Sequence, residues 1–265
     1  MIKHISPSMI SQFTRCGEQF RRRRIEGEII PPGIAARIGT GFHRGAEVNH
    51  RAKIITGKDE PLSVVQDAAR DGYVAALQGG VYFAPDEVAG ARKAMAEGVD
   101  TTVALARKYH ASLAPQIQPV MVEKQLWLDV DELPLPITGI VDVVSVDGWW
   151  ADLKTAGQKW SQARADSDIA ATVYAEMLGY PKRMTFEVLT TTKEVAHHSL
   201  ITTRTPEDFE AFVRRVQVIL GMVERGIFPP ADPTGWFCSP KWCGFWWTCK
   251  YIPEHKKVLP TGGQK

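Results

Sequence analysis

No run of the 265-residue chain is long and apolar enough to span a bilayer. The opening Met1-Ile-Lys-His-Ile-Ser6 passes straight into polar sequence without the charged-then-apolar pattern of a secretory leader. Both absences argue against a membrane partner and for a cytoplasmic protein. An excess of charge is missing too. The formal net charge is +2, too mild to argue by itself for a polyanion partner, so any such contact must come from local clusters. Cysteine is scarce, with four in all: Cys16 stands near the start, whereas Cys238, Cys243 and Cys249 crowd together near the end. In a reducing compartment that distribution suits ligands of a metal or cluster better than disulfides. The rest is ordinary globular composition, 44% hydrophobic and 23% charged, enough to bury the core of one α/β domain with a helical elaboration.

The most informative stretch runs from Ile137 to Thr155. Ile137 to Val146 is β-branched, Asp147-Gly148 is a turn signal, and Trp149 to Leu153 resumes an apolar strand, so the segment reads as a β-hairpin. Asp152 and Lys154, two apart, project from one face of the second strand. A two-residue loop at Asp147-Gly148 would turn Asp142 to the other face. Adding Trp149 to the loop pairs Asp142 with Lys154 and Val144 with Asp152, so an odd loop or a bulge is predicted. Two acids and a lysine on otherwise apolar strands need partners or a metal, because isolated buried charge is costly; the bland alternative is a solvated pair on an open sheet face.

Around the hairpin the pattern predicts helices and strands in alternation. Ser6-Pro7 caps a helix running to Phe20. Arg21 to Arg24 follow, either as a solvated helix end or as a phosphate-contacting patch. Gly39 to Glu47, with His43 in it, opens a second helix, and residues 62–113 hold two or three more. Val120 to Asp129 is a strand bearing Glu123, a residue as readily solvated as functional and left outside the predicted site. A helix over Ala163 to Leu178, strands over Arg183 to Thr191 and Ala196 to Thr203, and an amphipathic helix over Pro206 to Gly226 complete the order. Cys238, Cys243 and Cys249, at x4 and x5 spacing with Cys16 as fourth thiol, can hold an iron-sulfur cluster or a structural zinc.

The succession Val122-Glu123-Lys124-Gln125-Leu126, Gly139-Ile140-Val141-Asp142 and Asp152-Leu153-Lys154-Thr155 resembles the RecB-like branch of the PD-(D/E)xK nucleases. That branch includes the nuclease domains of RecB and AddB, CRISPR-associated RecB-like exonucleases and phage recombination exonucleases. The resemblance implies an α/β restriction-endonuclease-like fold: a mixed β-sheet core flanked by helices, with a helical insertion and a C-terminal cysteine-rich cluster segment. One nuclease domain would span residues 1–265, with N-terminal helices (1–50), insertion (60–115), catalytic core (120–226) and cysteine-rich tail (227–265).

It further implies that His43, Asp142, Asp152 and the backbone carbonyl of Leu153 hold Mg²⁺ or Mn²⁺, with Lys154 beside them and Glu47 one turn from His43 as a supporting acceptor. The catalytic set is then Asp142, Asp152 and Lys154. Cys16, Cys238, Cys243 and Cys249 would hold a [4Fe-4S] cluster, with zinc as the alternative because the first C-terminal interval is longer than usual. The chain departs from the family at Ala170, where a glutamine commonly stands four residues before Tyr174. The implied activity is phosphodiester hydrolysis at DNA ends in recombination or repair, in the style of phage enzymes and with a possible recombination partner protein. An inactive DNA-binding subunit and a zinc-stapled interaction protein are the alternatives.

Overall fold

The computed structural model describes residues 2–192 and 194–257. Five strands form one mixed sheet in the order β1 (Pro119–Leu128), β2 (Ile137–Ser145), β3 (Trp150–Ala156), β4 (Met184–Thr190) and β5 (His197–Thr202). All neighbours pair antiparallel except β3 and β4, which run parallel. That parallel pair requires a crossover, supplied by α6 (Gln162–Asp166) and α7 (Ile169–Met177). The single helix expected over Ala163 to Leu178 is therefore two: Ser161 caps the first, and Asp168 starts the second by accepting from the Ala170 N–H.

Helices cover both faces of the sheet. On one side lie α3 (Ile34–Thr56), α4 (Leu62–Leu77) and α5 (Ala91–Ser112), with Phe42, Tyr73, Leu105 and Tyr109 packed on Val143, Ala151, Leu153 and Leu189. On the other, α7 places Ala171, Tyr174 and Ala175 against Val141, Trp150, Phe186 and Val188. A third apolar cluster joins α1 (Pro7–Arg15) to α8 (Pro206–Glu224) through Phe13, Phe209, Val213 and Val216. Among the described residues no helix is long and apolar enough to cross a membrane.

The first helix starts as expected, with Ser6 Oγ accepting from the Met9 N–H at 3.4 Å and Pro7 in the first turn. It ends early. Cys16 is extended (φ −163°, ψ 105°), closing α1 and capping the short α2 (Gly17–Phe20), after which Arg21–Ile25 winds as a π-helical turn. Gly17 donates its N–H to the Pro229 carbonyl at 2.7 Å, so the break at Cys16 is where the C-terminal segment docks.

The helix carrying His43 begins at Ile34 rather than Gly39, which puts the histidine in its third turn. Its position is set by close helix packing. A Cβ on Gly41 would stand 2.6 Å from Tyr73 Cβ, and one on Gly45 2.8 Å from Ala69 Cβ, so only glycine lets α3 seat this deeply on α4.

Candidate active site

The β2–β3 turn has an odd loop, as parity required, but with different membership from that expected. Ser145 donates to the Trp149 carbonyl at 2.9 Å, leaving Val146, Asp147 and Gly148 in the loop, with Gly148 at φ +79°. Pairing is Val143↔Ala151 and Val144↔Trp150, two residues away from the register that would set Asp142 opposite Lys154. Trp149 stays out of the loop because it is 2% exposed, its ring under the Arg183 guanidinium and its indole N–H given to Thr185 at 2.8 Å. The gain from burying an indole outweighs the nominal turn preference.

The β2–β3 ladder stops at Val143↔Ala151, and in the gap beyond it the Asp142 carboxylate takes the place of a strand carbonyl: its Oδ2 accepts from the Leu153 N–H at 2.7 Å. The alternation of β2 is interrupted at the same point, since Val141 and Val143, two apart, pack in different cores. Across the ladder, Glu123 of β1 has φ +46°, which a side-chain-bearing residue adopts only at a cost of about 1–3 kcal/mol. Asp142 and Glu123 are thereby both brought to His43, whose Nδ1 lies 3.3 Å from Glu123 Oε1 and 3.7 Å from Asp142 Oδ1. One ligand atom from each of the three lies within 4.8 Å of the others.

Asp152 and Lys154 stand next to this group, both facing a cavity of about 440 Å³ that Asp142 and Tyr174 also line. Asp152 is 3% exposed. Its Oδ2 forms an ion pair with the Lys154 ammonium. Burial pushes the Asp152 carboxyl up; the Lys154 ammonium pulls it back, and the Asp142 carboxylate adds to the rise. Lys154 is held protonated: burial opposes its charge, but Asp152 and then Asp142 more than offset that. Burial would likewise lower His43, yet Asp142 and Glu123 reverse the effect and raise it to about 9. A proton on His43 offsets part of the charge of the two carboxylates.

The residues fit a hard divalent cation. Two carboxylates and an imidazole converge, and a third carboxylate, buried and paired with Lys154, stands nearby. Glu123, left outside the predicted site, is part of this convergence. Its sequence signal was only its presence on the first strand, since the backbone conformation that aims it is invisible there. Glu47 does not support His43; it is taken by Arg44 and Arg51 at 2.9 and 2.7 Å. Tyr174 donates to the Ile140 carbonyl at 2.8 Å and covers Gly139 so closely that a Cβ there would lie 2.4 Å from its ring.

The sequence of residues 4–250 matches the PD-(D/E)XK nuclease superfamily. The chain belongs to that superfamily. A solved structure of a candidate exonuclease from Eubacterium rectale has the same fold, with a TM-score of 0.56 and 12% identity over 89% of this chain and 87% of its own. The crystal structure of SSO0001 aligns over 94% of this chain and 87% of its own, at 11% identity and a TM-score of 0.43. No curated protein matches the sequence. The mixed sheet with helices on both faces that carries Asp142, Asp152, Leu153 and Lys154 is consistent with the restriction-endonuclease-like fold of that superfamily.

The cysteines come from both ends of the described chain. Cys16 Sγ accepts from the backbone N–H groups of Gln19 and Ala231, each at 3.4 Å, and Cys243 Sγ from the Gln19 side-chain amide at 3.8 Å. Burial raises the Cys238 thiol, and the charges of Cys243, Cys16 and Cys249 raise it further, so all four sulfurs share one neighbourhood. No three of them lie within 4.8 Å of one another among the described residues.

The arginine run divides. Arg21 pairs with Glu18 and Glu26. Arg22 pairs with Glu28, donates to Thr248 and stacks over Phe245, tying the π-helical turn to the cysteine segment. These two arginines are structural.

Proposed function

We propose that the protein is a divalent-metal-dependent deoxyribonuclease acting at DNA ends, an exonuclease of recombination or repair in the cytoplasm, built as one domain from its first helix through the cysteine-rich segment. The observation that carries this reading is the approach of His43, Glu123 and Asp142 within 4.8 Å beside the Asp152–Lys154 pair.

Mg²⁺ or Mn²⁺ would be held by His43, Asp142 and Glu123, with Asp152 and the Leu153 carbonyl completing the set. When bound, such a cation supplies Lewis acidity, offsetting charge on phosphate oxygens and acidifying water. Lys154, kept protonated by two carboxylates, serves as a donor and not as a base: it orients the attacking water and stabilises negative charge growing on the phosphate. Asp152 positions that ammonium. The Leu153 N–H, by holding one Asp142 oxygen, leaves the other turned to His43. Backbone phosphates would be recognised through charge, making binding salt-dependent.

For the four cysteines a [4Fe-4S] cluster is the better-supported occupant. A tetrahedral zinc site brings all four of its sulfurs to about 3.8 Å from one another, whereas no three of these thiols lie within 4.8 Å of one another among the described residues, a spread that suits the larger cluster. The test is degradation of end-labelled linear DNA against closed circular DNA with Mn²⁺. Loss of linear DNA alone, abolished by Asp152→Ala, supports the exonuclease. Equal cutting of circles replaces it with an endonuclease, and no cutting of either overturns hydrolysis. Iron content and broad visible absorbance of anaerobically purified protein decide cluster against zinc.

A further inference from the structure

A second pocket, of about 500 Å³, opens between α1, the π-helical turn and the cysteine segment. Arg15, Arg23 and Arg24 line it, and no aspartate or glutamate does. Unlike Arg21 and Arg22, these three have no carboxylate partner among the described residues. Among the described residues Arg24 donates to the Gln12 side chain alone, and its guanidinium is held below the usual arginine range by burial and by Arg23. Three cations gathered without a counter-charge are unfavourable unless an anion joins them. The rim is aromatic: Trp242 is 58% exposed, braced edge-on by Trp236 with ring centroids 5.5 Å apart, and Tyr82 lies alongside.

The pocket adjoins the cavity of the candidate active site. Ser8 lines both this pocket and the cavity over Asp152 and Lys154. Gly33, at the foot of α3, lines the pocket, and His43 stands ten residues up the same helix, about 15 Å away at helical rise. That is the reach of a few nucleotides.

We propose that this pocket is a binding site for an unpaired nucleic-acid strand, its phosphates held by Arg15, Arg23 and Arg24 and a base stacked on Trp242, a few nucleotides from the scissile phosphate. A recessed pocket with a flat indole at its mouth admits a splayed single strand, not a duplex whose bases are already stacked. The proposal rests on the nuclease reading and names the strand form that the nuclease engages.

The experiment is fluorescence anisotropy with labelled (dT)12 and a blunt 12-base-pair duplex, in EDTA so that nothing is cut, across a series of salt concentrations. The intact chain should prefer (dT)12. The Arg15→Gln/Arg23→Gln/Arg24→Gln variant should bind it about tenfold more weakly or worse, with the slope of log affinity against log salt smaller by about 2. Arg23→Gln alone, at an exposed and unpaired position that folding does not need, should reduce the slope by about 0.7. Trp242→Ala should weaken binding about fivefold or more with the slope unchanged, since stacking is uncharged. Unaltered affinity and slope in the triple variant and Arg23→Gln, or equal affinity for duplex and (dT)12, overturns the proposal. If Mn²⁺ elicits no cleavage yet the arginine variants lose (dT)12, the hydrolytic reading falls and the pocket stands. If DNA is cut but the variants bind as before, the pocket alone falls.

Discussion

Glu123 carries the clearest conflict between local stability and use. A glutamate at φ +46° within a strand is strained, and its carboxylate sits beside that of Asp142 with only His43 between charges. Glycine relieves the first problem and removes the second. Glu123→Gly should therefore raise the stability of metal-free protein by about 1 kcal/mol in urea unfolding while lowering Mn²⁺ affinity about tenfold or more in calorimetric titration. A variant that loses both stability and metal would assign the residue to the fold. His43 gives a pH dependence at the same scale. Its imidazole, raised to about 9 by the two carboxylates, is protonated at neutral pH and must lose that proton to act as a ligand. Apparent Mn²⁺ affinity should accordingly rise with pH up to about 9, with one proton released per ion at pH 7. Titration in buffers of different ionisation enthalpy reads that proton, and His43→Gln should abolish both the release and the slope.

Among the elements, the contact of α7 with β2 is decided by the absence of one methyl group. Gly139→Ala would set a Cβ against the Tyr174 ring and separate that tyrosine from the Ile140 carbonyl, so a loss of about 1–3 kcal/mol is expected in denaturant melts. Tyr174→Phe, which keeps the ring and gives up one hydrogen bond, should cost about 1 kcal/mol. The α3–α5 contact has its own acid sensitivity. Asn49 donates to the Tyr109 oxygen at 3.2 Å, so the Tyr109 hydroxyl donates to His50 Nε2 at 2.7 Å, which requires neutral His50. Burial lowers that imidazole to about 4. The unfolded chain thus binds the extra proton between about pH 6.5 and 4, and stability falls with falling pH across that window by up to about 1.4 kcal/mol per unit. Melting temperatures from pH 7 to pH 4.5 should drop less steeply in His50→Gln than in the parent, whatever the offset between them.

For the molecule as a whole, the cysteine-bearing segments pack the two ends of the described chain together. Cys16 breaks the first helix, the tail returns to it at Pro229 and Ala231, and Arg22 bridges to Thr248. Under the proposed cluster, Cys16→Ala and Cys249→Ala should each lose iron, lower the melting temperature and leave the sheet's circular dichroism in place, because the three apolar clusters contain none of the four cysteines. Collapse of the sheet signal in both variants would make the cluster a requirement for folding of the core.

How much of this was legible differs by residue. The strand-rich segments, the Ser6-Pro7 helix start, the amphipathic helix from Pro206 and the need for an odd loop in the hairpin all follow from local chemistry: branched side chains, capping groups and the two-residue period of a strand. The order of acids and lysine along β2 and β3 was likewise written in the chain. Tertiary packing decided the remainder. Burial of Trp149 chose which residues turn, shifting the register by two; the docking of the tail broke the first helix at Cys16; acids at Glu18, Glu26 and Glu28 claimed half of an arginine run whose other half was left for an anion. Glu123 joined the site through a backbone twist that no spacing rule encodes. Sequence determines which side chains each element can offer, because periodicity and capping are local. Which of them meet depends on free energies of burial and charge pairing summed across distant segments, and those exist only once the chain has folded.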